Sequence, residues 1–290
     1  MDESEGAAAS LEQPRPELEW PPLSRVTESR ILLPLVIYFV LWRLAAISVQ
    51  NFLFLSYKGF RAYRLHNLSI CLLHSTISGL WSLTFGLFNS DIMLNHIIHW
   101  HRVWAEQLPI ISIAYFLNDS IDMARHEISR WTIELFIHHT ACVVVFFFFC
   151  LVPQKFLVYN YWALLMEVNS IFLHIRSIMQ ISGENIQRPK LYTLVKILNI
   201  TTFIVFRFGV QFWQIQWALA HLNLFHRCYT FIALGGGSMF LTINVFLFYR
   251  VLASDGLLGD SLAKKAAINR DQQADCKSAA TIRSEKKHSE

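Results

Sequence analysis

The chain has 290 residues, of which 54% are hydrophobic, including 23 Phe and 9 Trp, and only 16% are charged, against roughly 25% in ordinary soluble domains. That balance argues against a soluble domain and for a polytopic membrane protein, and a formal net charge of +4 spread along the chain argues against nucleic acid as a partner. Five cysteines (Cys71, Cys142, Cys150, Cys228, Cys276), most of them in or beside apolar runs and without a CxxC pair, predict free thiols rather than a disulfide framework.

Residues 1–30 hold seven acids, three arginines and four prolines but no apolar h-region, so they read as a disordered tail without a signal peptide. Apolar spans follow at about 31–55, 68–88, 108–124, 131–152, 156–178, 191–220 and 229–251. Most reach the roughly 20 residues a helical crossing needs, and the third is the shortest and most polar. The expected fold is an all-α polytopic membrane bundle of about seven transmembrane helices. Its parts are a tail over 1–30, a first transmembrane helix over 31–56, a helical domain over 57–253 and a disordered cytosolic tail over 254–290. The last segment mixes basic and acidic residues with Ser, Ala and Gln and has no apolar periodicity.

Lysine and arginine between the spans set the expected orientation. One set of ends carries Lys58, Arg61, Arg64, Arg125, Arg130, Arg188, Lys190 and the basic residues from Arg250 onward; the other carries three N-terminal arginines, Arg102, Lys155 and Arg227. The positive-inside rule puts the N-terminus outside and the C-terminus in the cytosol.

The spans are not uniformly apolar. Stepping 100° per residue aligns Ser112, Tyr115, Asp119 and Asp122 in the third, Asn160, Glu167, Ser170 and His174 in the fifth, and Lys196, Asn199, Arg207 and Gln214 in the sixth. In the fourth, Glu134 and His138 form an i,i+4 pair beside His139. Ionisable groups at membrane depth cost about 2.5 to 3.5 kcal/mol each for Asp, Lys or Arg, so they face a bundle interior. The expectation is a polar cavity in the cytosolic half, lined by Arg43, His74, Asp119, Asp122, Glu134, His174, Arg176, Lys196 and Arg207. The cations would supply counter-charge or phosphate contacts.

Two chemistries are open for His138 and His139: a general base with an orienting carboxylate, or interhelical hydrogen bonds that fix packing. His96, His99 and His101 sit near Trp100 and Trp104 and read as interfacial rather than metal-binding. No metal site and no cofactor are expected. Ser75, Gly79 and Ser82, and the run Gly235-Gly236-Gly237, read as close-packing positions.

Several strings carry a family resemblance: Tyr63-Arg64-Leu65-His66-Asn67, His74-Ser75-Thr76-Ile77-Ser78-Gly79-Leu80-Trp81, Tyr115-Phe116-Leu117-Asn118-Asp119 with Asp122-Met123, His138-His139, and Leu165-Met166-Glu167-Val168-Asn169-Ser170 through Arg176. In this order, over about residues 57–253, the chain resembles the TLC (TRAM, Lag, CLN homology) domain, and more closely its small branch linked to plasma-membrane fluidity. The resemblance implies a multi-pass helical protein of lipid metabolism. Ceramide synthases of the same superfamily acylate sphingoid bases with a double histidine and a following His-Asp-x-x-Asp element. Here Met166, Glu167 and Ser170 stand where that element's His and two acids would be, which argues against the synthase reaction.

The function the resemblance implies is regulation of phospholipid acyl composition and plasma-membrane fluidity, limiting incorporation of polyunsaturated chains. Membrane phospholipids, acyl-CoA or a lipid-remodelling enzyme are the expected partners. The alternative is an acyl-CoA-dependent acyltransferase in which His138, His139 and Glu167 are catalytic, and endoplasmic reticulum is the alternative location.

Overall fold

A computed structural model describes residues 23–126, 130–224 and 226–259, and the tails expected over most of 1–30 and 254–290 lie outside those residues. After a short 3-10 turn at Leu23–Thr27, the elements are α1 (Ser29–Phe52), α2 (Gly59–Phe88), α3 (Ser90–Asn95), α4 (Gln107–His126), α5 (Arg130–Phe146), α6 (Leu157–Leu164), α7 (Glu167–Ser182), α8 (Glu184–Gln187), α9 (Pro189–Thr202), α10 (Val210–Ala220) and α11 (Arg227–Ser254). Wider π-helical turns at Phe147–Leu151 and Phe203–Gly209 extend α5 and join α9 to α10. Among the described residues all regular structure is helical.

Five rods are long and apolar enough to cross a membrane: Ser29–Phe52, Gly59–Phe88, Thr132–Leu151, Pro189–Ala220 and Arg227–Ser254. The rods made by α4 and by α6 with α7 fall short of that standard, the first through its polar residues and the second because it breaks. The expected continuous fifth span is interrupted at Leu165 and Met166. There the Leu165 and Met166 N–H groups donate to the carbonyls of Trp162 and Ala163, three residues back, and tighten the turn. Glu167 consequently opens a new helix in the middle of the bundle, where the helix dipole favours a carboxylate.

The second span also departs from expectation. Its helix starts at Gly59 rather than near residue 68, so Arg61 and Arg64 ride on a helix that projects beyond its apolar stretch. Gly183, at φ 84°, ends α7 in the left-handed conformation glycine adopts without strain. Pro189 then opens α9, where its missing N–H costs nothing.

α2 and α7 form the closest pair, α4 packs between α1 and α5, and α11 lies along α10 while meeting α5 sparingly. Small side chains on α2 make the first contact possible: Ser75, Ser78 and Ser82 are buried, and Gly79 faces the Glu167–Val168 peptide. Trp42 donates from Nε1 to the Ile111 carbonyl (3.1 Å), Tyr161 from its hydroxyl to the Ala105 carbonyl (3.0 Å), and Trp162 from Nε1 to the Met93 carbonyl (2.8 Å). The polar tips of these three large aromatics are thereby satisfied inside the bundle. Outward faces are apolar instead, as at Leu33, Val36, Val40 and Leu41 on α1 and Phe231, Val245 and Phe246 on α11. This is the pattern of helices solvated by lipid.

Candidate functional site

A cavity of about 280 Å³ opens at the end of the bundle where α2 and α5 begin and α4, α7 and α11 finish. His74, Asp119, Glu134, His138, His139, Glu167, His174, Arg176 and Arg207 all line it, so four helices and the second π segment bring together nine of the residues singled out by periodicity and resemblance. Next to it, toward the opposite end, lies a second cavity of about 150 Å³ between α5, α6, α10 and α11, with mostly aliphatic and aromatic walls. Four side chains border both: Phe116, His138, Glu167 and Arg207. The first is a polar chamber, the second an apolar one, and these four mark the junction.

Arg207 is the cation at that junction. Its guanidinium donates to Asn169 Oδ1 (2.7 Å), Asn244 Oδ1 (2.8 Å) and Ser170 Oγ (2.8 Å), all neutral acceptors. Asn169 is itself held, donating to the Asn199 carbonyl (2.9 Å) and side chain (3.1 Å) and to Thr202 Oγ1 (3.1 Å). The π segment explains the placement, since widening the helix there turns Arg207 inward between α7 and α11. Among the described residues no carboxylate lies within ion-pair distance of Arg207, and its charge is available to an anionic ligand.

Glu167 accepts a hydrogen bond from Ser75 Oγ (2.7 Å). His74 stacks on Tyr115 (ring centroids 3.9 Å apart) and shares a hydrogen bond with Ser112 Oγ (3.2 Å). Asp119 accepts from Asn67 Nδ2 (2.6 Å), and its second oxygen stands 3.6 Å from His139 Nδ1. The carboxylate closest to the double histidine is therefore Asp119 beside His139, not Glu134 beside His138. Glu134 pairs instead with Arg250 (3.0 Å). His138 Nδ1 is buried without a hydrogen-bond partner, and its Nε2 lies 3.8 Å from Cys142 Sγ.

Three expected cavity residues stand outside. Arg43 donates to Asp122 (2.6 Å) and to Asn118 (3.0 Å), tying α1 to α4, and neither Arg43 nor Asp122 reaches a chamber. Lys196 donates to the Asp255 carbonyl (3.2 Å). The correction has one cause: a helical wheel gives the face but not the neighbour, and these polar groups face a partner helix rather than space. Arg176 does line the chamber, yet its Nε is committed to Asp255 (2.9 Å) in a buried bidentate pair.

Asn67, Arg64, Ser75 and Arg250 also line the polar chamber, and periodicity singled out none of them as cavity residues. Arg64 and Asn67 lie in the resemblance string but ahead of the apolar run that marks the second span; the helix itself begins at Gly59 and carries both into the chamber. Among the described residues, no group of three His, Cys, Asp or Glu side chains is arranged to hold a metal ion. The histidines near the opposite end are paired with acids, His101 with the buried Glu106 (2.5 Å) and His96 with Asp91 (3.5 Å). Cys71, Cys142, Cys150 and Cys228 are free thiols; Cys276 lies outside the described residues.

Residues 64–253 match the family model described as the TLC domain. TLC domain-containing protein 2 of Danio rerio is 30% identical over 196 residues, covering 67% of this chain and 77% of that protein. TLC domain-containing protein 1 of Gallus gallus is 31% identical over 219 residues (73% and 80%), and its Homo sapiens counterpart 30% over 195 residues (67% and 76%). No solved structure matches the chain.

Proposed function

The chain belongs to the TLC-domain family of multi-pass membrane proteins, and from that premise we propose that it regulates the acyl composition of membrane phospholipids, limiting incorporation of polyunsaturated chains and so restraining membrane fluidity. The observation that carries the reading is a charged chamber adjoining an apolar one, with Phe116, His138, Glu167 and Arg207 lining both. A lipid has the same division, and a site of this form takes a polar head on one side and a chain on the other. Arg207 and Arg64 are the contacts for a phosphate or carboxylate, and Asp119 and Glu167 for a cationic or hydroxyl group.

In this reading the protein binds a phospholipid or acyl-CoA, or presents one to a remodelling enzyme, at the plasma membrane with its C-terminus in the cytosol. The polar chamber then opens to the cytosolic face. Lipid profiling of cells deleted for the protein and supplied with polyunsaturated fatty acid tests it. Phospholipids are expected to gain polyunsaturated chains on deletion; an unchanged acyl profile overturns the proposal.

One observation favours acyl transfer as a second reading: His138 stands at the junction with Nδ1 unbonded, where the carbonyl of a bound acyl group would lie. A histidine so placed can take a proton from an attacking hydroxyl or amine. Purified protein given labelled acyl-CoA and lysophospholipid or sphingoid acceptors decides this. Turnover abolished by His138→Ala with His139→Ala establishes the transferase, and no turnover leaves the regulatory reading.

A further inference from the structure

The end of the bundle at which the polar chamber opens also carries a basic face that belongs to neither chamber. Lys58 and Arg61 stand at the start of α2, Arg125 at the end of α4 and Lys190 at the start of α9; all are exposed, and none lines a cavity. Side-chain contacts draw these three places together. Tyr63 stacks on His126 (centroids 4.5 Å apart) and joins α2 to α4, the Tyr57 hydroxyl donates to the Ser182 carbonyl (2.9 Å) at the end of α7, and Gln180 Nε2 donates to the Tyr192 hydroxyl (2.5 Å) on α9. Acids at this end are engaged elsewhere: Asp122 with Arg43, Glu134 with Arg250, Glu184 with Arg188 and Asp255 with Arg176. Among the described residues no carboxylate lies within ion-pair distance of Lys58, Arg61, Arg125 or Lys190. Apolar side chains stand beside the cations. Phe52 and Leu55, between α1 and α2, are 78% and 67% exposed, and Ile186 on α8 is 80% exposed. The connection that presents Leu55 and Lys58 is fixed: Phe54 holds the left-handed conformation (φ 56°), its carbonyl accepts from the Tyr57 N–H (3.0 Å), and His66 Nε2 donates to the Leu53 carbonyl (2.9 Å). A non-glycine residue keeps that conformation only when its surroundings impose it.

We propose that this face binds anionic phospholipid of the adjoining leaflet: Lys58, Arg61, Arg125 and Lys190 hold the headgroup phosphates while Phe52, Leu55 and Ile186 enter the layer beneath them. Orientation alone calls for basic residues at this end, but not for their convergence from three helix ends around exposed apolar tips. A soluble phosphate ester would use the charge and leave those tips in water; a lipid in the membrane interface uses both. Bound there, anionic headgroups fix the depth of the bundle and gather charged lipid at the mouth of the polar chamber. The face lies outside both chambers, so its test does not depend on what they hold.

The test gives the full chain, purified in detergent, an equimolar mixture of dioleoyl phosphatidylcholine, phosphatidylserine and phosphatidylinositol bisphosphate, which differ only in their headgroups, and reads the retained lipids by native mass spectrometry. Wild type is expected to favour the bisphosphate over phosphatidylcholine by about tenfold or more, with phosphatidylserine between them. One cation near an anionic surface is worth about fivefold in binding. Lys58→Gln, Arg61→Gln, Arg125→Gln and Lys190→Gln combined are therefore expected to bring the three lipids to equal retention. Arg102→Gln with Arg227→Gln, exposed at the opposite end, is expected to keep the wild-type preference. A preference that survives the four-site variant places the anionic lipid elsewhere and overturns the proposal, as does equal retention of the three lipids by wild type. Soluble inositol trisphosphate at the same concentration is expected to leave the bound lipid in place; its displacement of the lipid shows a site for free phosphate esters and overturns the lipid assignment.

Discussion

Gly79 and Glu167 are in backbone contact: a β-carbon on Gly79 would stand 3.0 Å from the Glu167 carbonyl carbon and 2.9 Å from the Val168 nitrogen. The junction glutamate is thus positioned by the absence of a side chain on a neighbouring helix. Gly79→Ala forces α2 and α7 apart and is expected to cost about 1 to 3 kcal/mol, with loss of any effect that depends on Glu167. Gly235→Ala, where nothing lies within 4 Å, is expected to stabilise by about 0.4 to 1 kcal/mol through a less flexible unfolded chain. Thermal unfolding in detergent compares the two; an equal response removes the packing argument.

Arg43 contributes to assembly rather than to the chambers. Arg43→Ala leaves Asp122 and Asn118 on α4 without their donor, at an expected cost of about 1 to 3 kcal/mol. Arg43→Leu combined with Asp122→Leu is expected to recover most of that loss, since no charge is then stranded. The double-mutant cycle on unfolding midpoints checks this, and a double variant as unstable as Arg43→Ala contradicts it.

The Arg176–Asp255 pair fastens the end of α11 to α7, with both side chains almost wholly buried. Asp255→Ala strands the guanidinium and is expected to destabilise by about 3 to 5 kcal/mol. Lys196→Ala removes one hydrogen bond to the Asp255 carbonyl and is expected to cost about 0.5 to 1.5 kcal/mol. Denaturation of the two variants side by side gives the order; a Lys196 effect equal to that of Asp255 contradicts it.

Much of the bundle is legible in the amino-acid sequence. Apolar runs located the membrane rods, five of them long and apolar enough to cross, and helical periodicity together with the family resemblance named nine side chains that line one chamber, because a buried ionisable group must face the bundle interior wherever its helix lies. What could not be read was pairing across helices. Arg43 and Lys196 look like Arg207 on a wheel, but two reach an acceptor on a facing helix and one reaches a cavity. The break at Leu165 and Met166 also leaves no mark in composition, being a matter of which carbonyls the next turn reaches. The π segment at Phe203–Gly209 is equally silent, since one extra residue per turn carries no residue signature.

In the proposed orientation, with the C-terminus in the cytosol, the polar chamber opens to the cytosolic side. In a chain stripped of its native cysteines, Ser177→Cys and His174→Cys, which line the polar chamber, are expected to react with a membrane-impermeant thiol reagent applied from the cytosolic side. Phe149→Cys in the apolar chamber is expected to react far more slowly. Labelling of Ser177→Cys from the outside alone contradicts the orientation, and equal rates at all three sites contradict the division into chambers.

The junction between the chambers is the decisive place to cut, and the most direct measurement resupplies deleted cells, at matched abundance, with wild type, His138→Ala or Glu167→Gln and reads the phospholipid acyl profile under polyunsaturated load. Wild type is expected to restore the profile and both variants to leave it enriched in polyunsaturated chains. Full restoration by both variants would show that the junction does not carry the function.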